Sequence, residues 1–213
     1  MKPDGFPGSL NGLQRDLLQR FGHSHPGKFF LTGGAALVGY YGHERETRDL
    51  DLFTRDPEAF EWVPQLLADA VQEVGGEAIS ARAYPTFRRY RVLRGQEETI
   101  VDLVLETVPP VYPPVLPRGE AVAVDTPEEI AINKVCAVVG RGEPRDLQDL
   151  FFLHSRGIDL TDSVRLASVK DGGIGPDTLL MVLPAVPATG SVAEFRDRWV
   201  RQLRMDLLPP ATE

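Results

Sequence analysis

Two aspartates, Asp49 and Asp51, stand two residues apart in the stretch TRDLDLFT, residues 47–54, where acids alternate with apolar residues. Alternation with period two predicts a strand that has one acidic and one apolar face. Both carboxylates then point to the same side, about 7 Å apart along the backbone. Because like charges at this distance repel, the pair indicates a bound cation, and oxygen ligands suit Mg²⁺ better than zinc.

A third acid, Asp102, interrupts the apolar run TIVDLVLE, residues 99–106, which also predicts a strand. If the two strands are neighbours, Asp49, Asp51 and Asp102 form a site for one or two metal ions, the arrangement that transfers a nucleotidyl group. The simpler alternatives are a solvated acidic strand face for the first two and a surface position for Asp102.

A glycine pair, Gly33-Gly34, lies between the short apolar run Phe29–Thr32 and the helix-like stretch Ala35–Tyr41. This order predicts a strand, a tight turn and a helix. Bare backbone N–H groups at a helix N-terminus can hold a phosphate, although such a pair is more often only a turn. A phosphate cradle shortly before a carboxylate pair is the equipment of a nucleotidyl transfer site.

The elements that must position these residues change character along the chain. The segment 109–117 contains five prolines and predicts a boundary between an α/β core, residues 1–117, and a mainly helical region, residues 118–213. In the core we expect helices over Leu13–Phe21 and from Asp56 to Val74, one long strand Ala78–Leu93 and a further strand Glu98–Leu105. In the second region we expect helices from Thr126 to Val139, over Pro144–Ser155 and from Ser191 to Leu207.

Composition excludes several classes of protein. The chain has 213 residues, one cysteine and a formal net charge of −8, which rules out a disulfide scaffold and argues against a non-specific coat for nucleic acid. The first twenty residues are polar, unlike a signal peptide, and no apolar run approaches the length of a membrane span. We therefore expect a cytoplasmic protein with no membrane partner.

The order of these motifs resembles a known superfamily. The stretch FLTGGAALVGYYGHERETRDLDLF, residues 30–53, is similar to the signature of the DNA polymerase β-like nucleotidyltransferases. Within that superfamily the chain looks most like the AbiEii/AbiGii toxin family, which includes the mycobacterial MenT toxins. Residues 43–53 and 129–153 carry the narrower match. The resemblance implies an α+β fold, with a polymerase β-like core of mixed sheet and flanking helices followed by a helical C-terminal region.

The resemblance also implies roles for individual residues. Asp49 and Asp51 would hold Mg²⁺ and through it the triphosphate, and Asp102 would help to activate the attacking hydroxyl. Lys134 would contact the triphosphate, and Asp149 would complete a late acidic motif. The expected substrate contacts are Thr32, Gly33, Gly34, Arg45, Thr47 and Arg145. Lys134 has the alternative of reaching solvent from a core helix, and Arg145 with Asp149 that of a surface ion pair.

The implied reaction is Mg²⁺-dependent transfer of NMP from an NTP to an acceptor hydroxyl. The expected acceptor is RNA, at the 3′ end of a tRNA, and the protein would be the toxin of a type IV-like toxin–antitoxin system with a cognate antitoxin. Small-molecule or protein acceptors remain alternatives. So does a non-catalytic nucleotide-binding module, because Ala35 stands where superfamily members usually carry Ser or Thr.

One stretch of the acidic chain is locally basic and interleaved with aromatic residues. Such a pattern is a candidate contact for RNA phosphates or for the nucleotide, and a solvated strand face is the competing interpretation. Its members are Arg82, Tyr84, Phe87, Arg88, Arg89, Tyr90, Arg91 and Arg94.

Overall fold

The computed structural model describes residues 10–207. The chain divides into two compact units, Met1–Thr126 and Pro127–Glu213. The proline-rich segment 109–117, which marked the predicted boundary, lies within the first unit. Each unit has a buried apolar core, formed by side chains such as Leu31 and Leu103 in the first and Ile130 and Leu150 in the second, all at 0% exposure.

The first unit is built on a six-stranded mixed sheet, in the order β3-β4-β5-β2-β1-β6. β1 pairs with β2 antiparallel and with β6 parallel, β2 pairs with β5 parallel, and β3, β4 and β5 are antiparallel neighbours. The strands are β1 Phe30–Thr32, β2 Asp49–Thr54, β3 Glu77–Tyr84, β4 Phe87–Arg94, β5 Glu97–Leu105 and β6 Ala123–Val124. The helices are α1 Gly12–Ser24, α2 Gly33–Tyr40, α3 Pro57–Glu61 and α4 Val63–Glu73.

The strand predicted from the D-x-D alternation is confirmed as β2, and its two faces differ as expected. Leu50 and Leu52 are 0% and 2% exposed, whereas Asp49 and Asp51 on the other face are half-buried. The sheet therefore presents the acidic face of β2 where a ligand can reach it.

Two predicted elements are wrong, each because of a proline. The single strand expected over Ala78–Leu93 is the hairpin of β3 and β4, with a turn at Pro85 and Thr86, since proline cannot donate to a central ladder. The single helix expected after Asp56 is two helices that meet at Trp62, because Pro64 lacks the N–H that would continue the α3 hydrogen bonds.

The second unit is helical over its described part, as the sequence predicted. The expected helices are confirmed as α5 Pro127–Arg141, α6 Pro144–Ser155 and α9 Gly190–Leu207. Two helices that the sequence analysis missed lie between them, α7 Leu160–Lys170 and α8 Pro176–Val182. Together the units form an α+β fold with a helical C-terminal region. Between residues 10 and 207, no helix combines the length and the apolar character needed to cross a bilayer.

Candidate active site

A row of directly paired residues crosses five strands of the sheet in the first unit. Thr32 on β1 faces Asp51 on β2, which faces Asp102 on β5. Asp102 faces Arg89 on β4, and Arg89 faces Arg82 on β3. Residues opposite each other on neighbouring strands point to the same face of a sheet. The cross-sheet row therefore brings two of the predicted acids and two arginines to one face.

The glycine pair lies directly beside this row. Gly33 has φ +66°, a conformation that favours glycine, and a Cβ placed on it would lie 2.5 Å from Oδ2 of Asp51. A Cβ on Gly34 would overlap the guanidinium of Arg45. The absence of two side chains thus lets Asp51 and Arg45 approach the turn, and four predicted site residues meet at one point.

The N-terminus of α2 opens at this turn and carries an unused hydroxyl. Thr32 is the N-cap residue, but its side chain makes no capping hydrogen bond. Among residues 10–207 its Oγ1 is buried and has no hydrogen-bond partner, which is costly unless a ligand supplies one. Ala35, the position where a hydroxyl was expected from the superfamily, is 0% exposed. The structure therefore offers the hydroxyl of Thr32 beside Asp51 instead.

Thr47 lies at the entrance to β2. Its hydroxyl points to the carbonyl oxygen of Asp49 at 3.4 Å, a long and weak contact. This contact with the backbone of Asp49 places the side chain of Thr47 next to the carboxylate pair.

Asp102 is held by an arginine. Nε and Nη2 of Arg89 donate to Oδ1 and Oδ2 of Asp102 at 2.7 and 2.6 Å, and Asp102 is only 5% exposed. These hydrogen bonds raise the pKa of Arg89, and the charges of Asp49 and Asp51 add to the shift. Arg89 thus lies within the field of all three carboxylates.

The pairing of Arg89 with Asp102 bears on the predicted metal site. Within the described part of the chain, no three His, Cys, Asp or Glu side chains form a group that could hold a metal ion. Both oxygens of Asp102 accept hydrogen bonds from the guanidinium of Arg89, and the metal site of three carboxylates stays a prediction. Asp49 and Asp51 lie on the same face of β2.

The basic stretch of β3 and β4 is mostly neutralised. Besides Arg89, three of its arginines form ion pairs with carboxylates of the same unit. These pairs are Arg88–Glu61 at 3.5 Å, Arg91–Glu98 at 2.8 Å, Arg94–Glu97 at 2.8 Å and Arg94–Asp16 at 2.6 Å. The predicted basic RNA face stays a prediction, and these ion pairs offset part of its charge, whereas Arg82 forms no ion pair among the described residues.

In the second unit, Lys134 forms a buried charge cluster with residues of α6. Nζ lies 2.7 Å from Oδ1 of Asp146 and 2.7 Å from Oδ2 of Asp149, and both acids are 0% exposed. Arg141 donates to both oxygens of Asp146. Burial opposes ionisation of Asp146, but hydrogen bonds from Arg141 and Lys134 outweigh it and lower its pKa. Lys134 therefore does not extend into solvent, which excludes the simpler alternative.

Arg145 and Asp149 are placed differently from each other. Arg145 is exposed and pairs with Glu143 at 2.7 Å, whereas Asp149 is fully buried against Lys134. Asp149 is thus part of the buried charge cluster around Lys134, and its ion pair with Arg145 stays an alternative.

Sequence reasoning missed Arg89 as the partner of Asp102, and it missed Asp146 and Arg141. A signal existed for the first. Counting outward from the turn at Gly95 and Gln96, an antiparallel hairpin places Arg89 opposite Asp102. For Asp146, the spacing of three residues from Asp149 puts both acids on one face of a helix.

The mixed sheet, the glycine turn before a helix and the D-x-D strand together define a nucleotidyltransferase fold. Among solved structures, JHP933 from Helicobacter pylori matches with a TM-score of 0.57 and 20% identity over 91% of each chain. MenT4, a nucleotidyltransferase toxin from Mycobacterium tuberculosis H37Rv, matches with a TM-score of 0.59 and 19% identity, covering 92% of this chain and 82% of that one.

The sequence itself gives the narrower assignment. The family model described as nucleotidyl transferase AbiEii toxin, type IV toxin–antitoxin system, matches residues 16–211. The chain belongs to this family and is a nucleotidyltransferase, for which the family implies an NTP substrate and an antitoxin partner. No curated protein matches the chain by sequence.

Proposed function

We propose that this toxin uses Mg²⁺ to transfer NMP from an NTP to an RNA hydroxyl, at the 3′ end of a tRNA. The observation that carries the proposal is the approach of Asp51 to the glycine turn, where only the missing Cβ of Gly33 leaves room for Oδ2. A carboxylate pair and a helix N-terminus then share one place on the sheet, which suits a metal–triphosphate complex.

The residues fit a magnesium ion by their chemistry. Asp49 and Asp51 supply hard oxygen ligands on one face of β2, and the buried hydroxyl of Thr32 adds a polar atom that needs a partner. We assign Asp49 and Asp51 as the residues that hold the ion. When bound, it neutralises charge on the triphosphate and on the departing pyrophosphate.

The other residues of the turn would bind and orient the triphosphate. Backbone N–H groups at Gly33 and Gly34 donate to phosphate oxygens, as the first N–H groups of a helix do. The Thr32 hydroxyl donates beside them, and the Arg45 guanidinium over Gly34 stabilises the negative charge. Catalysis would rest on positioning and charge neutralisation, and a covalent enzyme intermediate is not needed.

In this proposal Asp102 keeps its expected place beside the acceptor hydroxyl but does not serve as a metal ligand. The guanidinium of Arg89 pairs with Asp102 and lies in the field of Asp49 and Asp51. We infer that Arg89 replaces a second metal ion, while Asp102 orients the acceptor hydroxyl from its place beside Asp51. The contacts that the resemblance assigns to Lys134, Asp149 and Arg145 stay predictions.

The acceptor is tested with periodate-treated tRNA. Periodate destroys the terminal ribose diol and leaves the rest of the molecule intact. We expect wild-type protein with Mg²⁺ and NTPs radiolabelled at the α-phosphate to label untreated tRNA and not treated tRNA. Equal labelling of both, or labelling of no RNA with any of the four NTPs, overturns the proposed acceptor.

A further inference from the structure

A β-bulge interrupts the pairing of β3 with β4. Ser80 pairs with Tyr90 and Arg82 pairs with Arg89, so Ala81 between them has no partner across the hairpin. Regular alternation from Ser80 would place Arg82 on the same face as Ser80. The extra residue turns Arg82, and with it Tyr84, to the face that carries Arg89 and Asp102, which is how bulges re-aim side chains.

The bulge separates side chains by size. On the face of the cross-sheet row it places Arg82 and Tyr84, opposite Arg89 and Phe87. On the other face β3 itself presents only the small residues Ser80 and Ala83, which lie opposite Tyr90 and Arg88 of β4. The edge strand β3 thus presents its large polar and aromatic groups beside the acids, while its residues remain exposed.

Arg82 carries an uncompensated charge. It makes no ion pair or hydrogen bond within residues 10–207, although it is directly opposite Arg89. Like charges opposite each other destabilise a sheet, and Asp102 neutralises only Arg89. An anion bound at Arg82 would remove the imbalance.

An aromatic surface extends along the same face. The rings of Tyr84 and Phe87 are 6.4 Å apart at an interplanar angle of 31°, and the guanidinium of Arg89 lies 5.6 Å from the centre of Phe87. Tyr84 is 61% exposed. A continuous line of contacts therefore leads from Asp102 through Arg89 and Phe87 to an exposed aromatic ring.

We propose that Arg82, Tyr84 and Phe87 form the contact for the single-stranded end of the acceptor RNA. One base stacks on Tyr84, and a backbone phosphate pairs with Arg82, the combination by which proteins hold single strands. Three strand spacings, about 14 Å, separate Arg82 from Asp51, a distance that a few nucleotides span. The positive charge of Arg82 suits a polyanion such as RNA, and the proposal rests on the RNA acceptor proposed above.

The first test is direct binding. Fluorescence anisotropy with a short fluorescein-labelled single-stranded RNA is measured for wild type, Arg82→Glu and Tyr84→Ala, with Arg201→Glu as the matched control because Arg201 is also exposed. We expect Tyr84→Ala to weaken binding roughly 10-fold. Arg82→Glu should weaken it to a similar extent and reduce the slope of log K against log salt by about 0.7. Arg201→Glu should bind as wild type does.

The second test separates this proposal from the proposed function. In the labelling assay we expect both variants to raise KM for tRNA without changing the affinity for Mg·NTP. Wild type that labels tRNA while both variants keep its KM overturns the acceptor contact and leaves the function intact. Wild type that binds and labels no RNA overturns both. A dimer in light scattering that Tyr84→Ala dissociates, with RNA affinity unchanged, would assign this edge to a second copy of the chain and overturn the proposal.

Discussion

Arg89 on β4 and Asp102 on β5 are direct partners across the sheet, and two parallel hydrogen bonds of 2.7 and 2.6 Å join the guanidinium to the carboxylate. The same arginine also lies in the field of Asp49 and Asp51. A fixed cation therefore stands among the acids before any metal binds. It lowers the repulsion between the three carboxylates, and in our proposal it takes the place of a metal ion at Asp102.

The pair should be strongly coupled in a double-mutant cycle. Arg89→Ala leaves the nearly buried carboxylate of Asp102 without its cation, so we expect a loss of about 3 kcal/mol in the free energy of unfolding. Arg89→Ala with Asp102→Asn together should cost less than Arg89→Ala alone, as urea unfolding can measure. Simple additivity of the two changes would show that the pair contributes no coupling.

Metal stoichiometry follows from the same pair. We expect wild type to bind one Mn²⁺ per chain in the presence of NTP, as measured by electron paramagnetic resonance, because the proposal assigns only Asp49 and Asp51 as metal ligands. Two equivalent ions in the wild type would contradict the role given to Arg89.

Gly33→Ala should abolish activity by displacing Asp51. The left-handed conformation costs an alanine about 1–2 kcal/mol, and its Cβ would meet Oδ2 of Asp51 at 2.5 Å. Gly75→Ala is the matched control, because Gly75 has φ +71° and no atom within 4 Å of the added Cβ. Both variants should lose similar stability, while only Gly33→Ala should lose nucleotide transfer. Full activity of Gly33→Ala would show that the close approach has no functional role.

Thr32→Val should weaken the binding of NTP without destabilising the folded protein. The Thr32 hydroxyl has no partner in the described structure, so its removal should leave the free energy of unfolding unchanged or raise it by about 1 kcal/mol. The KM for NTP should rise. Thr54→Val is the control, since the equally buried hydroxyl of Thr54 accepts a hydrogen bond from Asp56, and its loss should destabilise the protein without raising KM. An unchanged KM in Thr32→Val would remove Thr32 from the phosphate site.

The buried charge cluster of Lys134, Asp146 and Asp149 should make the stability of the protein depend on pH. Because the pKa of Asp146 is lower in the folded state than its ordinary value of 3.8, its contribution is present above that value and disappears as the pH falls below it. Asp146→Asn should therefore cost about 3 kcal/mol at pH 7. The difference from wild type should shrink below about pH 4, as thermal unfolding across pH can follow. A difference that stays constant down to pH 3 would contradict the ion-pair explanation.

Local patterns allowed much of the fold to be predicted from the sequence. The alternation around Asp49 and Asp51 defines β2, and capping residues with prolines define the starts of α5 and α6. The hairpin of β3 and β4 was not predicted, because its aromatic and basic residues continue in strand-like composition through Pro85. Single-sequence periodicity also could not distinguish the helices α7 and α8 from loop.

The residues of the candidate site also fall into those that local sequence patterns predict and those that they do not. Residues close in sequence, such as Gly33, Gly34 and Asp51, were predicted together because one strand–turn–helix–strand unit carries them. The pairing of Arg89 with Asp102 and the turning of Arg82 by the bulge depend on register between strands. Counting from the turn at Gly95 and Gln96 could have given the first, whereas the bulge at Ala81 shifts the register of β3 and emerged only from the three-dimensional arrangement.

The most direct test of the central claim compares wild type with Asp51→Asn, an almost isosteric change that removes only the charge. Mg·NTP affinity is measured by calorimetry, and tRNA labelling is measured with and without EDTA. We expect wild-type labelling to disappear with EDTA, and Asp51→Asn to keep its folded stability but label tRNA at least about 100-fold more slowly, with weakened Mg·NTP binding. Equal labelling by wild type and Asp51→Asn in Mg²⁺ would contradict the assignment of Asp49 and Asp51 as the metal site.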